Sequence, residues 1–120
     1  MSFLSFEDMP VWKLAMKIAI DVFNLTVPLP KCEDYALKSQ IRDSAESISA
    51  NIAEGFGRNT RPDKKRFYVI ARGSALETKS HLIYGNNVKY FDSNDIEPIL
   101  KDIETVVFEL NKLMKSLSST

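Results

Sequence analysis

Cysteine is almost missing from this chain. Cys32 is the only one among 120 residues. No internal disulfide can form, and a reducing, cytoplasmic setting is the expectation. Histidine is equally scarce. His81 and Cys32 are the whole supply of imidazole and thiol ligands, too few for a zinc site of three or four. A nucleophile–histidine pair would have to come from these same two residues, and no local feature marks either as activated. The four glycines build no phosphate-cradling loop after a strand, because nothing alternates with a strand's period of two. No apolar run approaches the roughly 18 residues that cross a bilayer. Glu7 and Asp8 interrupt the N-terminal stretch, which does not read as a signal peptide. Net charge is absent too: 16 basic and 16 acidic residues cancel, so global attraction to nucleic acid or an anionic membrane is not implied. Di-metal helix bundles use Glu-x-x-His pairs; here His81 follows Glu77 by four, and no such pair occurs. The expectation is therefore no catalytic residue, no metal, no cofactor and no small-molecule substrate.

What the chain does have is helical periodicity. Hydrophobic residues make up 44% and charged residues 27%, which suits one globular domain over residues 1–120. The first helical segment runs from about Pro10 to Thr26, with Val11, Ala15, Ile18, Val22 and Leu25 on one face. Asp8 is its candidate cap, and Pro28 and Pro30 end it. A second segment runs from Cys32 or Asp34 to about Arg58, striped by Leu37, Ile41, Ala45, Ile48, Ile52 and Phe56, with Gly55 and Gly57 weakening its end. The third extends from Pro62 to about Tyr90, capped by Thr60. Phe67, Ile70, Ala71, Ser74, Thr78, Leu82 and Ile83 are placed inward, and Gly73, Ser74 and Ala75 would allow a close backbone approach. The fourth, from about Asn94 to Ser116, repeats Ile96, Ile99, Ile103, Val106, Leu110, Leu113 and Leu117 at three-four spacing, widened by Leu100, Val107 and Met114. Pro98 lies in or just beyond its first turn and could shift its start later. Long helices with short connections predict an all-α, antiparallel up-down-up-down four-helix bundle.

Two polar features stand outside this packing account. Asn51, Glu54 and Arg58 share one helix face, and Glu54–Arg58 is a favourable i, i+4 pair. The feature is either an exposed ion pair or a polar cluster at a bundle end, joined by Glu77 or Arg72 of the next helix. The second feature is basic. Between Arg58 and Arg72 there are six basic residues and one acid, Asp63. Lys64, Lys65 and Arg66 fall in a first helical turn, where acids are favoured, so they do not serve helix stability. Arg58, Arg61, Lys64, Lys65 and Arg66 could be a solvated face, a nucleic-acid patch, or a dock for the acidic fourth helix of a neighbouring subunit.

Val11-Trp12 with Ala15, Tyr35-Ala36-Leu37, Gln40-Ile41-Arg42, Ser47-Ile48, Asn51-Ile52-Ala53-Glu54-Gly55 with Arg58, then Phe67, Ala71 and Gly73-Ser74-Ala75-Leu76-Glu77-Thr78 together resemble one family. It is the bacterial four-helix bundle proteins first noticed as reading frames within intervening sequences of 23S ribosomal RNA genes. The resemblance spans about residues 6 to 115. It implies a bundle that assembles into a ring, with a pentamer as the expected state, no established catalytic activity and, for most members, no assigned role. One branch, the accessory proteins of diversity-generating retroelements, resembles basic pentamers that engage a reverse transcriptase and its RNA. This chain departs from that branch in its neutrality, and in carrying Arg42-Asp43 where many relatives have an arginine pair. The leading expectation is a homo-oligomeric interaction protein, with RNA or DNA binding at the basic corner as the alternative.

Overall fold

The computed structural model describes residues 3–118, so the outermost residues of the expected 1–120 domain lie outside it. Four helices follow in order: α1 (Pro10–Thr26), α2 (Leu37–Phe56), α3 (Arg61–Asn87) and α4 (Ser93–Ser118). Short 3-10 turns at Phe6–Asp8 and Lys31–Glu33 precede α1 and α2. α1 has the predicted bounds. Its N-cap is Met9 rather than Asp8, which belongs to the preceding turn, and no side chain caps it. α2 starts later than expected, because Cys32 and its neighbours form the 3-10 turn. The Glu33 carboxylate then accepts from the Leu37 N–H at 3.2 Å, covering one of the amides that a helix start leaves without a partner. α2 also stops at Phe56, short of Arg58. Thr60 does cap α3, its hydroxyl accepting from the Asp63 N–H at 3.2 Å.

The helices pack as an antiparallel four-helix bundle. Ser44 meets Thr78, Ser47 meets Ser74, and Gly55 lies against Tyr68, a nearly constant residue sum that only antiparallel neighbours give. Arg72–Asn111 and Lys65–Ser118 show the same for α3 and α4. Each helix touches its two neighbours, while among the described residues no Cα pair across either diagonal, α1–α3 or α2–α4, comes within 8 Å. The cross-section is therefore a square with α1 and α3 at opposite corners.

Ile18, Ile41, Ile48, Ile52, Leu82, Ile103 and Leu110 fill the centre, each under 2% exposed. The stripes of α1, α2 and α4 are as expected in the main, with Leu25, Phe56, Leu113 and Leu117 only partly buried. α3 needs correction. It buries Tyr68, Ala71, Ala75, Thr78, Leu82 and Gly85, whereas Ile70 and Ile83 are exposed and Phe67 is partly exposed. The cause is that α3 is apolar on both sides, so hydrophobic periodicity alone does not select the inner face.

Close approach occurs at Ser74, as expected, and also at two glycines not singled out for it. A Cβ at Gly55 would lie 2.7 Å from a Tyr68 ring carbon, so this glycine lets α3 seat its tyrosine. The Phe91 ring lies against Gly85 in the same way. By contrast, a Cβ at Gly73 would meet nothing within 4 Å. Pro98 sits at the sixth position of α4, which starts before it, near enough to the end that the lost N–H removes one early helical bond.

Candidate functional site

The α2–α3 corner holds the predicted polar and basic residues, and its geometry is mostly self-contained. Arg58 Nη2 lies 3.3 Å from Glu54 Oε2, the i, i+4 pair read from the sequence. Both side chains are well exposed, so the pair is a weak one. The Arg58 guanidinium also stacks on the Phe67 ring, 4.6 Å from its centroid, and its Nε points at Asp63 from 3.7 Å, too far for a hydrogen bond. Arg66 bonds Asp63 at 3.1 Å and stacks on Phe67 as well, at 4.5 Å. Asp63 and Phe67 thus hold two guanidinium groups together that would otherwise repel.

Lys64 corrects the expectation that the basic run does nothing for helix stability. Its Nζ donates to the Phe56 carbonyl at 2.7 Å and to that of Gly55 at 3.4 Å. A cation thereby sits on the carbonyl end of α2, where the helix dipole favours it, although the lysine belongs to α3. Lys65 Nζ donates to the Ser118 hydroxyl at 3.2 Å, tying α3 to the end of α4. Of the five basic residues, Arg61 alone has no such partner among the described residues.

The rest of the predicted cluster is dispersed. Asn51 turns back along its own helix, donating to the Ser47 carbonyl at 2.8 Å and to its hydroxyl at 2.9 Å. Glu77 faces His81 at 3.2 Å, and Arg72 donates to Asn111 at 2.8 Å. For Glu77 the antiparallel register explains this: with Thr78 opposite Ser44, Glu77 is level with Ala45 on α2, about nine residues or roughly 14 Å of helix from Glu54. Glu77 and Arg72 do not join Glu54 and Arg58.

Other contacts were not anticipated. Along the α2–α3 seam, Ser44 and Thr78 share a buried hydrogen bond of 2.8 Å, and Ser47 and Ser74 one of 3.0 Å. Short side chains here let two helices meet closely while each hydroxyl keeps a partner. Between α1 and α2, Arg42 Nε donates to the buried Thr26 hydroxyl at 2.8 Å and Nη2 to the Phe23 carbonyl at 3.1 Å, with the guanidinium 4.1 Å over the Phe23 ring. Lys17 bridges Asp21 and Asp102 at 2.9 and 2.8 Å, which pushes its ammonium up to about 12, chiefly through the Asp102 hydrogen bond. Among the described residues no three His, Cys, Asp or Glu side chains gather as metal ligands, and no helix is long and apolar enough to cross a membrane.

The remaining distinctive surface is apolar. Ile20, Phe23 and Val27 are 53%, 52% and 56% exposed along the outer edge of α1. On α3, Val69, Leu76 and Ile83 are 40%, 50% and 42% exposed, and Phe108 of α4 is 62% exposed beside Leu76. The recurrence of Val69, Leu76 and Ile83 every seven residues was visible in the sequence, but it stood beside a second apolar stripe on the same helix.

Among curated protein sequences none matches the chain. A crystal structure of a protein with unknown function from the S23 ribosomal protein family of Bacteroides thetaiotaomicron is similar in fold. It has a TM-score of 0.79 and 24% sequence identity, covering 88% of this chain and 98% of that one. The family model described as 23S rRNA-intervening sequence protein matches residues 7–112. With that match over most of its length, the chain belongs to the 23S rRNA-intervening sequence protein family.

Proposed function

We propose that this chain is a non-enzymatic interaction protein that works as a homo-oligomer, the ring or pentamer that the family resemblance implies. The observation that carries the reading is apolar surface left outside a core that is already closed. The central isoleucines and leucines are fully buried, yet Ile20, Phe23, Leu76, Tyr84 and Phe108 each keep half or more of their surface in contact with solvent. Single exposed apolar residues are ordinary, but aligned rows on long helices mark association surfaces. Size exclusion with light scattering on purified protein at micromolar concentration tests this. A mass of several subunits is expected, and a strict monomer overturns it.

The nucleic-acid reading of Arg58, Arg61, Lys64, Lys65 and Arg66 has less support. Lys64 is engaged with α2 carbonyls, and Arg58 and Arg66 with Asp63 and Phe67, so three of the five cations are held by the fold rather than free to follow a phosphate backbone. A mobility-shift titration at low salt should show no retained RNA or DNA. Binding that weakens steeply with salt would reinstate that reading.

A further inference from the structure

The four seams of the bundle are not equally closed. α2 and α3 meet through small residues: Ser44 bonds Thr78, Ser47 bonds Ser74, and Gly55 admits the Tyr68 ring. Arg42 clamps α2 to α1, reaching both the Thr26 hydroxyl and the Phe23 carbonyl. Arg72–Asn111 and Lys65–Ser118 tie α3 to α4. The α1–α4 seam differs from these three. It pairs the first and last of the four helices, so no connecting segment joins its two sides. The two backbones run close together less than in any other adjacent pair. A cleft opens at either end of the seam. One, of about 580 Å³, lies between Val11 on α1 and Glu109 and Leu113 on α4. The other, of about 290 Å³, lies between Asn24 and Leu25 on α1 and Asp95 and Pro98 on α4.

Between the two clefts stands Lys17. Its ammonium bonds Asp21 of its own helix at 2.9 Å and Asp102 of α4 at 2.8 Å, so the two carboxylate oxygens lie at most about 6 Å apart. The Lys17 side chain is more than half exposed, and an exposed ion pair stabilises by at most about 1 kcal/mol. Removing the ammonium does more than delete that pair. It leaves two acids facing each other across the seam, with the Asp102 side chain only 24% exposed. One cation thus decides whether the charge here holds α1 to α4 or drives them apart.

We infer that α1–α4 is the edge along which this bundle opens, with Lys17 as its latch. The seam parts while α2 and α3 stay packed, and the core behind it becomes reachable without unfolding the chain. Val106 marks that core. It is fully buried, one turn from Asp102 on one side and from Glu109 on the other. Local opening takes place where a structure is least tied, at a lower free energy than global unfolding. It concerns the interior of one subunit and does not rest on the association reading.

Thiol labelling tests it. In a Cys32→Ser background, which leaves no other cysteine, Val106→Cys places a thiol behind the α1–α4 seam and Ser44→Cys one in the α2–α3 seam. Circular dichroism should show both variants folded, and urea denaturation of each gives the labelling rate that global unfolding alone would allow. With dithionitrobenzoate in native buffer, Val106→Cys should label at least about tenfold faster than that rate, and Ser44→Cys should match it. Adding Lys17→Met should speed labelling at Val106→Cys further and leave Ser44→Cys at its own global rate. Asp102→Asn in the Lys17→Met protein should then slow it again by relieving the opposed acids. A variant that fails to fold is replaced by Ile99→Cys at the α1–α4 seam or Thr78→Cys at the α2–α3 seam. A Ser44→Cys thiol that exceeds its global rate as much as the Val106→Cys one, or a Val106→Cys thiol confined to its global rate, overturns the opening. A Val106→Cys rate that Lys17→Met leaves unchanged, or that Asp102→Asn fails to slow, overturns the latch.

Discussion

Lys89 has a φ of 73°, a left-handed backbone conformation on a side chain that resists it. The reason is the end of α3. The Tyr90 N–H donates to the Gly85 carbonyl at 2.8 Å and that of Lys89 to Asn86 at 3.1 Å, a Schellman closure whose left-handed position usually holds glycine. Lys89→Gly should therefore stabilise the protein by about 1 kcal/mol, read from urea denaturation, and a loss of stability would contradict this assignment. Titration supplies a second residue-scale prediction. Burial pushes the Tyr68 phenol above its usual 10.0, the Glu33 hydrogen bond pushes Tyr90 up to about 12, and Asp102 with Asp21 does the same for Lys17. Each folded value is raised, so each contribution is complete below the unfolded value near 10 and is lost as pH rises through the folded one. The melting temperature should fall as pH is taken from 9 through 11, and less steeply in Tyr68→Phe. A flat profile in the wild-type protein would refute the assignment. None of these residues was singled out from the sequence, since a left-handed lysine and a buried phenol have no local signature.

At the scale of elements, the α2–α3 seam offers the clearest test. Ser44 and Thr78 bond each other, and each also reaches a carbonyl of its own helix, so removing one leaves the other partly satisfied. Ser44→Ala and Thr78→Val should each cost about 1 kcal/mol. The double variant should cost less than the two together, because the pair acts as one unit. Full additivity in thermal or urea unfolding would show that the hydroxyls are independent. Element boundaries were legible where chain chemistry is decisive: Pro10 opens α1 with Pro28 and Pro30 beyond its end, and Thr60 caps α3. They were not legible at α2, whose first amide is covered by a glutamate side chain from a 3-10 turn. The inner face of α3 was misjudged at Ile70 and Ile83 because both sides of that helix are apolar, and which side enters the core depends on Gly55 admitting Tyr68.

For the whole molecule, the bundle was legible from periodicity because three of four helices bury one stripe each. The candidate site was legible only in part. Glu54 and Arg58 do pair, but Glu77 lies about nine residues along the register, and within the basic run Lys64 turns to α2 carbonyls while Arg58 and Arg66 gather on Asp63 and Phe67. Sequence spacing places residues on a helix face, while the register between helices decides which faces meet. The exposed apolar rows on α1 and α3 lie outside a core that is already closed, and the proposed association of copies would cover such surface. Sedimentation equilibrium at micromolar concentration tests that association most directly. A mass that is a multiple of the 13.6 kDa chain is expected, and a mass of one chain at every concentration would contradict it.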